Sequence, residues 1–293
     1  SGRGVYRGGN PSVDTIASTQ ITYINVSTLG NSQYFGDATS SNWALCGGGS
    51  DGRRGVFAGG LPNAGFLNTI EYITLASTGN ALDFGDLSIA AGGDSGGCAS
   101  SSTRALFARP LTRTPATAAS NVIDYIQIQT LGNALDFGDL SPDNGASSDG
   151  CSSPTRGFFA GGGYPSPYKT IKMVTMSSTG NSIYFGDLTA FRSYAGSVSS
   201  TTRGIFAGGG NTSGGPAILS YHNSIEFITM ASQGSGTYFG DLTLGRHSPA
   251  GSCTQTRGVF AGGYISGGTP TNLNTMDYIS ISSFGNALDF GDL

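Results

Sequence analysis

Few side chains in this sequence could do chemistry, and most of them recur at a fixed spacing. Asp37, Asp86, Asp139, Asp187, Asp241 and Asp292 each end a Phe-Gly-Asp tripeptide. Six carboxylates in register could form a ring of cation ligands, since Ca²⁺ takes oxygen donors. Each copy, however, offers one Asp beside Gly, with no second carboxylate at loop spacing. The better reading is a structural Asp that caps a turn or pairs with an arginine. Arg3, Arg54, Arg104, Arg156, Arg203 and Arg257 recur as often. A planar guanidinium bonds a carboxylate and nearby carbonyls together. One structural Arg–Asp pair is therefore expected in each repeat or across each boundary, and no metal site is expected.

Catalysis has little to work with. The two histidines, His222 and His247, both fall in variable segments. Gly93-Asp94-Ser95-Gly96-Gly97 matches the nucleophile segment of chymotrypsin-like proteases, but those enzymes carry His and Asp upstream of the Ser. Here both His lie downstream. Gly48-Gly49-Ser50-Asp51-Gly52 fits Gly-x-Ser-x-Gly without a strand-to-helix turn around it. Asp143 and Asp149 sit in a Ser/Gly-rich stretch that reads as a solvated turn. Cys46, Cys98, Cys151 and Cys253 lack Cys-x-x-Cys spacing, so zinc is not expected. They read as small buried thiols, with a disulfide between neighbouring repeats as the alternative. No enzyme activity and no cofactor are expected.

The elements that must position these residues are repeated. The Phe of Phe-Gly-Asp falls at Phe35, Phe84, Phe137, Phe185, Phe239 and Phe290, at spacings of 49, 53, 48, 54 and 51 residues. A period near 50 is that of kelch-type propeller blades. Each repeat reads as four strands. The second is Arg-Gly-Φ-Φ-Ala-Gly-Gly, as in Arg54–Gly60. The third alternates, as in Ile70-Glu71-Tyr72-Ile73-Thr74-Leu75, the period-two signal of a strand. The fourth carries Phe-Gly-Asp. The first is small and Gly/Ser/Ala-rich, as suits strands converging on an axis, because Gly marks close backbone approach. In the third repeat Ala108-Arg109-Pro110 replaces Ala-Gly-Gly, and that blade should be distorted there. Gly-Asn (Gly234-Ser235 in the fifth repeat) joins the third and fourth strands, and reads as a two-residue hairpin at positive φ. No helix is expected. The fold class is all-β: one kelch-like β-propeller of about six four-stranded blades, with repeats near 1–42, 43–92, 93–142, 143–192, 193–245 and 246–293. Six second, third and fourth strands meet five first strands, so one inner strand is missing: either it lies upstream in a longer parent, from which the chain then reads as cut, or another segment fills its slot.

Strand alternation puts the second-to-third and fourth-to-first connections on one face. Those connections vary between repeats, whereas the Gly-Asn turns on the other face hardly vary. Binding usually resides in variable loops on a rigid scaffold. The variable set holds Trp43, Tyr164, Tyr168, Phe191, Arg192, Tyr194, Tyr221, His222, Arg246, His247 and Tyr264, several with rings suited to sugar or protein surfaces. These are the candidate binding residues.

Composition narrows the partners. Gly is 49 of 293 residues and charged residues are 11%, against about 25% in ordinary domains. Hydrophobic content of 37% is too high for a disordered chain. Net charge is −4 with no basic cluster, which argues against nucleic acid. No apolar run approaches the length of a membrane span, so no membrane insertion is expected.

Thr-Arg-Gly-Val-Phe-Ala-Gly-Gly followed by Ile-Glu-Tyr-Ile-Thr-Leu-Ala-Ser-Thr-Gly-Asn-Ala-Leu-Asp-Phe-Gly-Asp-Leu resembles the kelch-like repeat proteins of marine tailed phages, which are virion structural or tail-fibre-like. The resemblance covers essentially the whole chain. It departs from standard kelch repeats in lacking paired Tyr and Trp after the double Gly. It implies a non-enzymatic particle component, located in the virion, whose partners are other virion proteins and a host cell-surface glycan or protein. The alternative is a cellular or secreted kelch-type scaffold for a protein partner.

Overall fold

The computed structural model describes residues 2–9, 18–42, 47–62, 65–92, 96–108, 111–112, 118–140, 149–162, 168–212, 218–265 and 271–293. All regular structure among them is β. Each repeat folds into one antiparallel sheet whose strands lie in chain order from inside to outside. Blade 2 is typical, with Gly47–Ser50 innermost, then Arg54–Gly60, Leu67–Thr74 and Leu82–Asp86. Blade 1 has three strands among the described residues, Arg3–Arg7, Ser18–Asn25 and Gln33–Asn42.

The apolar residues do not form one central core. They form six clusters, each shared by two neighbouring blades. One of them joins Val259, Met276 and Phe290 of the last blade to Tyr6, Ile24 and Val26 of the first. The six blades therefore close into a ring, a β-propeller. Inner strands pack on inner strands near the axis, and this is why they are small. A Cβ on Gly150 would stand 2.6 Å from the backbone of Cys98 in the preceding blade. Seryl groups tie these strands together: Ser152 Oγ accepts from Ser100 N–H at 3.1 Å and donates to Ser100 O at 2.6 Å. Cys253 Sγ does the same with Ser199. Cys151 and Cys253 are free thiols. Cys46 lies outside the described residues.

Phe-Gly-Asp is a bulge. The register between the third and outer strands shifts there in all six blades, as between Ile123/Gly138 and Asp124/Asp136. A bulge re-aims a side chain, and here it turns the Phe into the inter-blade core while the two residues before it stay exposed. Five of these Phe rings meet the third-strand aromatic of their own blade near edge-on, as Tyr72 meets Phe84 at 6.1 Å. In blade 4, Met173 takes the third-strand position and Phe158 packs on Phe185 instead.

Two expectations are corrected here. The connection from third to outer strand is not a two-residue hairpin. It spans residues 75–81 in blade 2 and 128–134 in blade 3. Its Asn is not at positive φ, since Tyr194 and Ser248 are the non-Gly residues found there. Instead the Asn amide latches blades: Asn80 Oδ1 accepts from Asp37 N–H at 3.0 Å, and Asn133, Asn181 and Asn286 treat Asp86, Asp139 and Asp241 alike. Ser235 serves Asp187. Asn31 accepts from Asp292 at 3.1 Å and completes the ring. The Gly of Phe-Gly-Asp lets the turn approach, because a Cβ on Gly240 would meet Gly285 O at 2.1 Å.

The repeat arginines are structural, but their partner is not the Phe-Gly-Asp carboxylate. Each donates to a main-chain carbonyl of the next blade. Arg54, Arg104, Arg156, Arg203 and Arg257 reach Ile128, Met176, Met230, Ile281 and Val26, and Arg3 reaches Leu75. Five of the guanidinium groups also lie over a third-strand ring of their own blade, as Arg54 lies 4.5 Å from Tyr72. A flat cation can bond in its plane and stack on its face at once. The carboxylates go elsewhere: Asp37 and Asp241 accept from Tyr34 and Tyr238, and Asp187 stands 3.8 Å from Lys169.

Candidate binding face

The two kinds of variable connection share one face and hydrogen-bond to each other. Ser193, in the connection from blade 4 to blade 5, exchanges two backbone bonds of 2.9 Å with Gly210 of the blade 5 hairpin. His247 and Tyr264 repeat this one blade further on. Leu111 pairs with Gly92 in the same way.

Buried charge fixes these connections in place. Arg192 and Arg246, expected to reach a partner, are instead among the largest fully buried side chains. Arg192 pairs with Glu226 at 2.8 Å and donates to the carbonyls of Gly208 and Ser224. Arg246 pairs with Asp277 at 2.5 Å and donates to Thr275. Arg7 pairs with Glu71 at 2.6 Å. Burial lowers the pKa of each arginine and its carboxylate partner opposes that. Arg7 pairs across two blades, and Arg192 and Arg246 pair from a connection to the third strand of the blade that follows; an isolated buried charge would be too costly.

The carboxylates also hold the connection that precedes their blade. Glu71 accepts from Thr39 N–H, Asp124 from Ser88, Glu226 from Thr189 and Asp277 from Thr243. These residues were not singled out from sequence. The signal was present: a polar residue recurs in the middle of the apolar third strand at Glu71, Asp124, Lys172, Glu226 and Asp277, and all five are buried.

Four of the expected residues come together. Tyr194, Tyr221, His247 and Tyr264 arrive from four different connections between blades 4, 5 and 6. Around the His247 ring, Tyr264 stands at 4.9 Å, Tyr221 at 5.6 Å and Tyr194 at 5.8 Å. Tyr221 is parallel to it within 13°. All four are half-buried. Burial pushes the His247 pKa down to about 4, so the ring is neutral at ordinary pH. His222 lies beside this group; its pKa is lowered by burial and then by Arg192, against a bond to the Phe191 carbonyl.

The remaining expected residues are scattered. Phe191 is 46% exposed on its own. Tyr168 opens the third strand of blade 4, opposite Gly162. Trp43 and Tyr164 lie outside the described residues, as do Asp143 and Ser95. Asp149 opens the inner strand of blade 4; burial raises its pKa, against a bond from the Ala195 N–H and the nearby Arg192. Among the described residues, no three His, Cys, Asp or Glu side chains are grouped as a metal would need.

A cleft of about 560 Å³ lies away from this face at the seam between blades 1 and 2. Arg3, Tyr23, Gln33 and Leu75 line it. Arg3 is already bonded to Leu75 O at 2.9 Å there.

No protein-family model matches the chain, and no curated protein matches it. The solved structure titled "Structure of YjhT" is similar, with a TM-score of 0.69 at 8% identity, over 93% of this chain and 91% of that one. The ring is a β-propeller. At that identity the likeness extends to the fold alone.

Proposed function

We propose that the chain is a non-enzymatic virion structural or adhesion module, a component of a phage tail, fibre or capsid appendage. Its variable face engages a host surface or a neighbouring virion protein. The observation that carries this reading is the contrast between the two faces. The Gly-Asn face is spent on latches between blades, with each Asn amide holding the Phe-Gly-Asp of the preceding blade. The opposite face carries connections of unequal length, paired to one another and pinned by buried ion pairs. Variable segments on a rigid ring are suited to recognition. The low charge and the resemblance to phage repeat proteins favour a particle component over a cellular scaffold.

The test is a loop exchange. Replacing Gly210–Asn223 by the shorter Leu61–Asn68 keeps the fold, because both segments join the second and third strands of a blade. The exchange weakens attachment to the host surface or the neighbouring virion protein. An exchanged chain that attaches like the parent, while folded Gly-Asn turn variants lose attachment, assigns function to the other face.

A further inference from the structure

We infer that the Tyr194, Tyr221, His247 and Tyr264 cluster is a stacking platform for an uncharged pyranose ring of a carbohydrate. The inference rests on the variable face being the binding face.

The ring fold does not require this cluster. Blades 2 and 3 close with Ile89-Ala90-Ala91 in the corresponding connection. The cluster is also held at a conformational cost. Tyr194 and Ser248, at φ +57° and +53°, are the two non-Gly residues of positive φ among the described residues. Both lie in this spot, and Ser248 N–H donates to Tyr194 O at 2.7 Å. Strain of this kind persists where the surroundings over-determine it, and it gathers at ligand sites.

Charge selects the ligand class. The guanidinium groups of Arg192 and Arg246 are neutralised by Glu226 and Asp277. His247 is neutral, because burial holds its pKa near 4. The half-buried cluster therefore consists of three phenol rings and a neutral imidazole, with no net charge to hold a phosphate or a carboxylate. Three tyrosines could also form a cage for a quaternary ammonium group. Here the centre of that cage is filled by His247 itself, with Tyr221 parallel to it. What remains is a surface, and the axial C–H face of a pyranose fits a ring surface while its hydroxyls meet phenol and main-chain groups.

The experiment is saturation-transfer NMR on the full chain, with methyl glycosides of galactose, glucose, mannose and N-acetylglucosamine at millimolar concentration. Irradiating aromatic protons transfers saturation to C–H protons on one face of at least one of these sugars. Tyr221→Ala weakens that affinity about fivefold or more, the loss expected for one stacked ring. Tyr194→Gly does the same with the fold retained by circular dichroism, since Gly accepts the positive φ. Tyr184→Ala, on the outer strand of blade 4, changes nothing. Three results overturn the inference: no transfer to any of the four sugars, transfer in Tyr194→Gly and Tyr221→Ala as strong as in the parent, or transfer to tetramethylammonium but not to sugars. Loss of attachment in the loop exchange without any sugar signal leaves the binding face standing and removes the sugar.

Discussion

At the scale of the residue, the decisive groups are charges with nowhere to go but each other. Arg246→Met leaves Asp277 buried with only Thr243 to satisfy it. Breaking a buried pair in this way costs about 3–5 kcal/mol, read as a lower urea midpoint. Arg246→Met with Asp277→Asn recovers most of the loss, because the uncompensated charge is gone and the amide still accepts from Thr243. A single variant as stable as the parent contradicts the pairing. His247 gives a pH signature. Its folded pKa, about 4, lies below the ordinary 6.5, so the unfolded chain takes up the proton first. Stability from this group is complete above pH 6.5 and is lost as the pH falls toward 4. The loss amounts to about 1–3 kcal/mol, allowing for a partly exposed ring. Melting temperature against pH in the parent and in His247→Gln checks this. The variant has the shallower slope over that window, and identical slopes contradict it.

At the scale of the element, each blade is joined to the next by the same small kit. A bulged Phe fills the seam, an Asn amide (Ser235 between blades 4 and 5) caps the Phe-Gly-Asp backbone, and an Arg reaches over to a carbonyl. Arg203 is the fullest example. It donates to Ile281 O at 2.9 Å and lies 5.0 Å from Phe227 and 5.1 Å from Phe284. Arg203→Ala removes one charged hydrogen bond and two ring contacts, and lowers stability by about 2–4 kcal/mol. Attachment by the variable face, once corrected for the folded fraction, stays unchanged. A melting temperature equal to that of the parent contradicts the structural role.

At the scale of the whole molecule, the question is whether the blades form a ring or an open row. In an open row the end blades lack one neighbour interface and unfold first. Here the seam between blades 6 and 1 has the same latches as the others. Asn31 caps Asp292, Gly30 N–H bonds Phe290 O at 3.0 Å, and Arg257 reaches Val26 O at 3.2 Å. Tyr6 Oη meets Ser252 Oγ at 2.6 Å across the same seam. Asn31→Ala therefore costs as much as Asn133→Ala at an internal seam, about 1 kcal/mol each. Thermal melts of the two variants check this. A neutral Asn31→Ala beside a destabilised Asn133→Ala means that the ring is open in solution.

The sequence by itself determined the blade. Period-two alternation, the Phe-Gly-Asp spacing and the small inner strands follow from local pleat and crowding, so they are legible without coordinates. It also separated the variable face from the repeated one. The partners of the charges were decided only by the tertiary structure. Arg203 meets a carbonyl 78 residues away, and Arg7 meets Glu71 across a blade boundary. Such pairings depend on which blade stands next to which. For the same reason Arg192 and Arg246 looked like loop residues reaching outward, while the packing of successive blades turns them in. The gathering of Tyr194, Tyr221, His247 and Tyr264 is likewise a product of the ring. Four connections spread over 71 positions of sequence meet only because three blades stand side by side.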